Sequence, residues 1–561
     1  MILTPENRIK DYTEKGWWGT DTLYSLFVDA CNESGESEAL VDAPNRNEFT
    51  SGQPKRLTFN QIRIEVDRYA SIFYEAGFRK DDKVILQLPN IVELAILYIA
   101  LSKLGIIISP VPVQYGKYEI TKIINDIKPK GYIAIASLNS KNFTQGIKDA
   151  FHDKHTLFSV GDAEGFINLE NNGHKENSSA DTDKYVKSIS NSANDILTIC
   201  WTSGTTGTPK GVPRSHNLWI TMAKAAYHLA NTQKGDILLN PFPLVNMASI
   251  GGFLFNWLIC KGKLIQHHPF DLNIYLNQLS EEQVNYTIAA PAIMNMLLNN
   301  TPLFENLDLS KLRSIGCGGA PLSEWMVKNF QENHDITIQN IFGSNEGMTL
   351  LSTRDDVEDA KLRAVYFPRF GVDGFNWNNP ISKTIKTKLI NLETNEEILT
   401  PEIPGELLIS GSTVFDGYWE APEANNEVFD EEGYFRTGDM FEISSDATEN
   451  KFYKYCGRCK DLIIRGGMNI SPEELDYLLM SHPLILDVAV TGYEDELLGE
   501  KVGVVVVVSE GTNLELKEIT SFLDELGIAK YKLPEDLRII KELPRNPVGK
   551  VLRRELKVLF S

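Results

Sequence analysis

Cysteine is scarce in this chain, with six in 561 residues at Cys31, Cys200, Cys260, Cys317, Cys456 and Cys459. So thin a scatter excludes a fold built on disulfides and fits a reduced cytoplasm. Cys456 and Cys459 form a lone C-x-x-C with no second pair and no histidine nearby in sequence, and His267-His268 has no H-E-x-x-H around it. Neither pattern supplies the ligand set of a zinc site. Basic excess is also lacking: the formal net charge is -21. A general nucleic-acid binder, which needs a basic face to displace phosphate counterions, is thereby excluded. No uninterrupted apolar run of membrane length occurs. Residues 90–113 are broken by Glu93, Lys103, Gly105, Pro110 and Pro112 and predict a buried helix followed by a strand. Residues 1–15 are polar and carry no apolar leader segment. A cytoplasmic protein that neither spans a membrane nor binds nucleic acid is expected.

What remains is an ordinary globular composition, 42% hydrophobic and 23% charged, in a chain too long for one core. From about residue 23 to 460, strand-like runs such as 83–88 and 106–108 alternate with helical ones such as 92–104, which predicts layered α/β structure with parallel strands. Residues 161–194, rich in Asn, Ser, Asp, Lys and Glu, predict an exposed mobile connection. The last hundred residues read as a separate α+β module. Ser471-Pro472-Glu473-Glu474 opens a helix with a Ser cap, and strands are expected at 488–490, 504–508 and 537–540 with a helix at 516–526. Residues 528–561 hold nine Lys/Arg against four Asp/Glu, so this end is locally basic.

The richest stretch is Thr202-Ser203-Gly204-Thr205-Thr206-Gly207-Thr208-Pro209-Lys210-Gly211, which follows the buried strand predicted at 196–201. Glycines that turn N–H groups toward an anion, hydroxyl donors and the Lys210 cation make a polyphosphate cradle. It is not the common P-loop, because Pro209 precedes Lys210 and Gly211 follows it where a Ser or Thr should reach the metal. The plainer reading, a solvated Ser/Thr/Gly linker, gives way once five further motifs are set beside it. These are Gly316-Cys317-Gly318-Gly319-Ala320-Pro321, Ile341-Phe342-Gly343-Ser344-Asn345-Glu346-Gly347, Tyr434-Phe435-Arg436-Thr437-Gly438-Asp439, Gly457-Arg458-Cys459-Lys460-Asp461 and Pro547-Val548-Gly549-Lys550-Val551.

In identity, order and spacing these motifs resemble the adenylate-forming superfamily of acyl-CoA synthetases, aryl-acid AMP ligases and luciferases, over nearly the whole chain. The resemblance implies a large N-terminal α/β domain of layered sheets and helices, residues 1–459, with a smaller β-barrel-like subdomain. A hinge at 460–461 and a small mobile α+β C-terminal domain at 462–561 complete it. ATP contacts are implied for Thr202, Ser203, Gly204, Thr205, Thr206, Gly207, Gly319, Ala320, Pro321, Phe342 (against adenine), Gly343, Ser344, Asn345, Asp439 (on the ribose diol) and Arg458. Glu346 is implied to hold Mg²⁺, Lys210 to grip the departing phosphates, and Lys550 to enter the site from the small domain as the adenylation cation. A carboxylate attacking a phosphate brings two anions together, which is why a mobile cation is needed there. Lys460 is the implied hinge, and Gly466 and Gly467 flank the implied thiol tunnel. The pattern departs from the family at Asn345, where Thr is usual and contacts phosphate.

The implied reaction activates a carboxylic acid as acyl-AMP with release of pyrophosphate, then passes the acyl group to a thiol after the small domain turns. Phe242, Val245, Asn246, Met247, Ile250 and Gly318 are the candidate acyl pocket, with Phe255 a further apolar wall or core residue. No acidic residue lies between Asn240 and Lys261, so an α-amino acid is disfavoured and an uncharged aliphatic, alicyclic or aromatic acid expected. Coenzyme A is the first choice of acceptor and a separate carrier protein the second. A non-catalytic nucleotide-binding regulator and a luciferase-like oxygenase are the other readings, and a homodimer is left open. The expected co-substrates are ATP with Mg²⁺, and coenzyme A.

Overall fold

The computed structural model describes all 561 residues except 153–154, 172–177, 203–208, 301–305, 320–321, 348, 446–447, 467, 496, 527, 529, 547–549 and 561. Two large sheets organise the N-terminal part. In the first, the parallel strands Ser314–Gly318, Tyr286–Ile288, Ile237–Asn240, Lys263–Gln266 and Glu38–Val41 are extended by Thr337–Gly343, and antiparallel edges are added by Thr349–Ser352 and Arg56–Thr58. In the second, Ile107–Pro110, Lys83–Gln87, Gly131–Ile135 and Thr156–Val160 run parallel, with Ile196–Trp201 beside Ile107–Pro110.

The helix Val92–Leu104 shows why these layers stack. It is apolar on every side, and all of its residues are buried in a core shared with both sheets. A helix apolar all round must lie inside. Its two charged residues are paired, Glu93 with Arg46 and Lys55, and Lys103 with Asp67 and Asp183. Gly105 ends it in the left-handed conformation, at φ 71°.

Asp183 belongs to the helix Ser178–Ser188, a regular element within the connection expected at 161–194 that its composition did not announce. Lys103 and the ring of Tyr74, which lies 5.3 Å from Tyr185, supply tertiary partners that composition does not reveal. The smaller subdomain is a five-stranded antiparallel sheet, in the order Tyr366–Pro368, Phe452–Arg458, Phe435–Ile443, Gly405–Gly411 and Ile385–Ile390.

Beyond it, Asp487–Asp495 and Gly499–Val507 form a long antiparallel pair, flanked by the hairpin Ile463–Arg465/Met468–Ile470 and the parallel strand Asp536–Ile539. Val490, Val502, Val504 and Val506 face the helices Pro472–Leu479 and Leu516–Glu525 in a core of their own. Ser471 caps the first of these helices by accepting from the Glu474 N–H. Among the described residues no helix is long and apolar enough to cross a membrane.

Candidate active site

The strand Ile196–Trp201 and the strand Gly211–Ser215 are antiparallel neighbours, so the two ends of the phosphate-cradle stretch lie side by side. Thr202 N–H donates to the Lys210 carbonyl at 3.1 Å, and Lys210 N–H to Thr202 Oγ1 at 3.3 Å, which closes the loop at its base. Ser203, Gly204, Thr205, Thr206 and Gly207 lie outside the described residues. Lys210 Nζ sits 4.7 Å from the centre of the Tyr418 ring. The Tyr418 hydroxyl donates to Glu346 Oε1 at 2.9 Å. Burial and the neighbouring Glu346 charge push this phenol up, so it stays a donor. The loop lysine and the motif carboxylate therefore meet at one aromatic ring that the sequence reading did not single out. Only the tertiary fold brings Tyr418 there.

Glu346 is buried and lies just beyond the strand Thr337–Gly343. Its carbonyl accepts from Phe415 N–H at 2.9 Å. The next residue, Gly347, has φ 106°, and a Cβ there would stand 1.9 Å from the Thr413 carbonyl oxygen, so this position takes glycine alone. Gly318 is constrained in the same way, since a Cβ would meet the Ile341 carbonyl oxygen at 2.3 Å. The two motif strands are thus pressed together, with Gly319 turning at φ 79°. Ala320 and Pro321 are outside the described residues. Ser344 Oγ is buried with no hydrogen-bond partner among the described residues.

Asn345, the departure from the resembled pattern, spends its side chain inside the protein. Oδ1 accepts from Met247 N–H at 2.9 Å and Nδ2 donates to the Trp201 carbonyl at 3.4 Å. The Asn345 carbonyl accepts from Arg214 Nη1 at 2.8 Å. Arg214 is fully buried and stacked over Trp219, with no carboxylate in hydrogen-bond contact among the described residues, and burial brings its guanidinium down to about 10.

Asp439 and Arg458 face each other across the antiparallel strands Phe435–Ile443 and Phe452–Arg458, with Arg458 Nε 3.3 Å from Asp439 Oδ1. Burial raises the Asp439 carboxyl to about 6 against the opposing pull of Arg458 and Lys550. Tyr455 hydroxyl reaches the same carboxylate at 3.4 Å, and the Tyr455 ring is 5.1 Å from that of Phe342, which makes an aromatic wall beside the ribose candidate. Lys550 arrives from the C-terminal module. Its residue is exposed, and loss of hydration, then Arg458, lower its ammonium to about 8 while Asp439 and Asp461 pull the other way. Its N–H donates to Asn546 Oδ1 at 2.8 Å. Three residues nearly a hundred or more positions from Glu346 in sequence thus come within electrostatic reach of one another.

Of the acyl candidates, Phe242 and Val245 are half-buried and Met247 is buried. Asn246 is a helix cap, its Oδ1 accepting from Ser249 N–H at 3.2 Å. Ile250 and Phe255 are wholly buried, Phe255 stacking on Trp219. They bound a π-helical turn, Ile250–Phe255, that continues the short helix Met247–Ser249. Such turns recur at functional sites, and no sequence period betrays one this short. Lys460 is exposed in the turn after Arg458, where Asp461 N–H donates to the Arg458 carbonyl. Gly466 turns the C-terminal hairpin at φ 58° and donates to the Leu498 carbonyl at 2.7 Å, and Gly467 is outside the described residues. Burial raises both thiols of the C-x-x-C, Cys459 to about 12.

The sequence pattern of the AMP-binding enzyme family matches residues 27–419, and that of the AMP-binding enzyme C-terminal domain matches residues 474–550. The chain belongs to the AMP-binding enzyme family. This is the adenylate-forming superfamily that the motifs resemble. Among AMP-binding enzymes it is similar to the probable CoA ligase CCL5 of Humulus lupulus, 29% identical over 90% of this chain and 88% of that one. It is also similar to the 2,3-dihydroxybenzoate-AMP ligase of Bacillus subtilis, 25% identical over 99% and 97%. Its fold matches that of ATP-bound MatB from Rhodopseudomonas palustris with a TM-score of 0.77 at 23% identity, over 96% of this chain and all of that one.

Proposed function

We propose that this AMP-binding enzyme is an ATP-dependent acid–thiol ligase. The reading rests chiefly on Lys550, a cation from the C-terminal module within electrostatic reach of the Asp439–Arg458 pair. Asp439 accepts the ribose hydroxyls of ATP, as a carboxylate can accept from a vicinal diol. Phe342 and Tyr455 flank the base. Lys210 and the phosphate-cradle stretch hold the β- and γ-phosphates, the group that leaves as pyrophosphate. Among the described residues the Glu346 carboxylate accepts one hydrogen bond, from Tyr418, and it keeps acceptor capacity for the Mg²⁺ that accompanies ATP. That cation supplies neutralising charge on the phosphate oxygens.

The acid carboxylate then attacks the α-phosphorus in line, the bond to the β-phosphate oxygen breaks, and Lys550 offsets the charge gathered between the two anions. For the second half, the module beyond residues 460–461 turns about Lys460, withdraws Lys550 and presents Gly466 and Gly467 to a pantetheine thiol. The boundaries proposed are 1–459 and 462–561. The acid is uncharged, because the segment carrying Phe242, Val245 and Met247 brings no acidic side chain toward an ammonium group. Coenzyme A is the preferred acceptor, supported by the CoA ligases among the relatives. A carrier-protein thiol is the second reading, supported by the likeness to the AMP ligase.

Pyrophosphate release across a panel of acids, with and without coenzyme A, tests this. Acid-dependent release with a CoA thioester as product is expected. No release with any acid would overturn the enzyme reading, and release with acyl-AMP but no thioester would move the acceptor to a carrier.

A further inference from the structure

The pattern this chain resembles uses the residue before its motif glutamate on phosphate. Here both ends of that residue's amide are occupied by main chain. Asn345 Oδ1 takes the Met247 N–H, and its Nδ2 gives to the Trp201 carbonyl. The assignment of oxygen and nitrogen follows from the partners, since exchanging them would set donor against donor at Met247.

Met247 is the first residue of the helix Met247–Ser249. The first N–H groups of a helix have no partner within it, so a side chain must supply one when they are buried. Asn345 supplies it to Met247 and Asn246 to Ser249. The same segment is fixed on its other flank. Asn90 donates to the Phe242 carbonyl at 2.7 Å and accepts from Leu244 N–H at 3.2 Å, and the Tyr98 hydroxyl donates to the Leu244 carbonyl at 2.6 Å. Asn345 itself is held by Arg214 Nη1, and Arg214 Nη2 donates to the Leu218 carbonyl at 3.0 Å.

We propose that Asn345 is a positioning residue for the acid: it sets the height of the 242–249 segment over the site and ties it to the strand that feeds the phosphate loop. This inference rests on the acid–thiol ligase reading above. The residue next in sequence to Glu346 thereby governs acid recognition, while the phosphates are left to Lys210 and the loop. A Thr at 345, branched at Cβ and shorter by one heavy atom, reaches one of the two main-chain partners at most.

The test separates the two substrates. In wild-type enzyme, KM for the best acid and KM for ATP are measured by pyrophosphate release, then again in Asn345→Thr and Asn345→Ala. The acid KM should rise about tenfold, the size expected for a buried N–H left without a partner, with the ATP KM changed less than twofold. A rise confined to the ATP KM would overturn the proposal. Met247→Pro deletes the same N–H from the other side. Proline is admitted at a first helical position, and Asn246 before it is extended at φ -143° and ψ 177°, as a residue preceding proline must be.

Met247→Leu controls for the lost side chain. If Asn345→Ala and Met247→Pro remove one shared bond, the double variant should be within about twofold of the worse single variant. Multiplied effects would show two independent lesions and sink the idea. Should Asn345→Thr fail to fold, the ratio of Met247→Pro to Met247→Leu carries the comparison. Failure of the ligase reading looks different, because wild-type enzyme then releases no pyrophosphate with any acid.

Discussion

Arg553, three residues after Lys550, donates from Nη2 to the carboxylate of Asp476 in the helix Pro472–Leu479. Its Nη1 donates to the Val490 carbonyl at 2.5 Å, and its Nε stands 3.4 Å from Glu473. Glu473 and Ser471 in turn press on Gly457, where a Cβ would come within 2.7 Å of both. Arg553 thus relays the position of the strand bearing Arg458 to the segment bearing Lys550.

Arg553→Lys keeps the charge and loses the planar fork. Adenylation should fall about tenfold, while thioester formation from supplied acyl-AMP stays within twofold, an estimate from the cost of losing a charged hydrogen bond. Equal loss of both half-reactions, with a lowered melting temperature, would make the residue merely structural.

Lys550→Ala should abolish adenylation and largely spare thioester formation from supplied acyl-AMP. Quenched assays of each half-reaction check this. Equal loss of both would refute the two-conformation mechanism.

The pH profile of kcat/KM for adenylation should be a bell with limbs near 6 and near 8. Asp439 must be ionised, which holds above about 6, and Lys550 must carry its proton, which holds below about 8. In Lys550→Arg the alkaline limb should move out of range while the acid limb stays.

Tyr418→Phe removes the hydroxyl on Glu346 and leaves a ring for Lys210. The Mg²⁺ concentration needed for half-maximal rate should rise roughly three- to tenfold, the worth of one hydrogen bond to a charged group. Tyr418→Ala, which also deletes the ring, should cost more. An unchanged metal requirement in both would remove Tyr418 from the site.

His216 is buried, its Nδ1 accepting from Leu23 N–H at 3.1 Å, and burial lowers its imidazole to about 4. The folded state therefore refuses a proton that the unfolded chain takes up near 6.5. The stabilisation is fully present above about 6.5 and is lost as pH falls through about 4, to the extent of about 3 kcal/mol. His216→Asn, which keeps an acceptor at that place, should flatten the fall in stability between pH 6.5 and 4. Denaturant unfolding at several pH values measures it.

The elements legible in the sequence were those with a local cause. The mainly apolar run before Gly105, the Ser471 cap and the valine strand carry their own signals, and each element is found there, the valine strand starting earlier, at Gly499. The helix Ser178–Ser188 was hidden, because its partners Lys103 and Tyr74 are distant in sequence and its own composition is polar. In the site, the motif residues announced themselves by type and order. The side chains that hold them did not. Tyr418, Arg214 and Arg553 are ordinary residues in a linear reading and gain meaning from what folding places beside them.

One consequence reaches the beginning of the chain. Arg8 donates to the carbonyls of Gly411 and Val414 and pairs with Asp416, and the Trp18 indole donates to the Ser412 carbonyl at 3.1 Å. That same loop supplies the Thr413 oxygen against Gly347 and the Phe415 N–H on Glu346. The first twenty residues therefore buttress the loop that packs on Glu346, the carboxylate proposed to hold the metal. Trimming them in an effort to shorten the protein would be an active-site alteration, and its damage would surface in turnover even where the trimmed chain still folds.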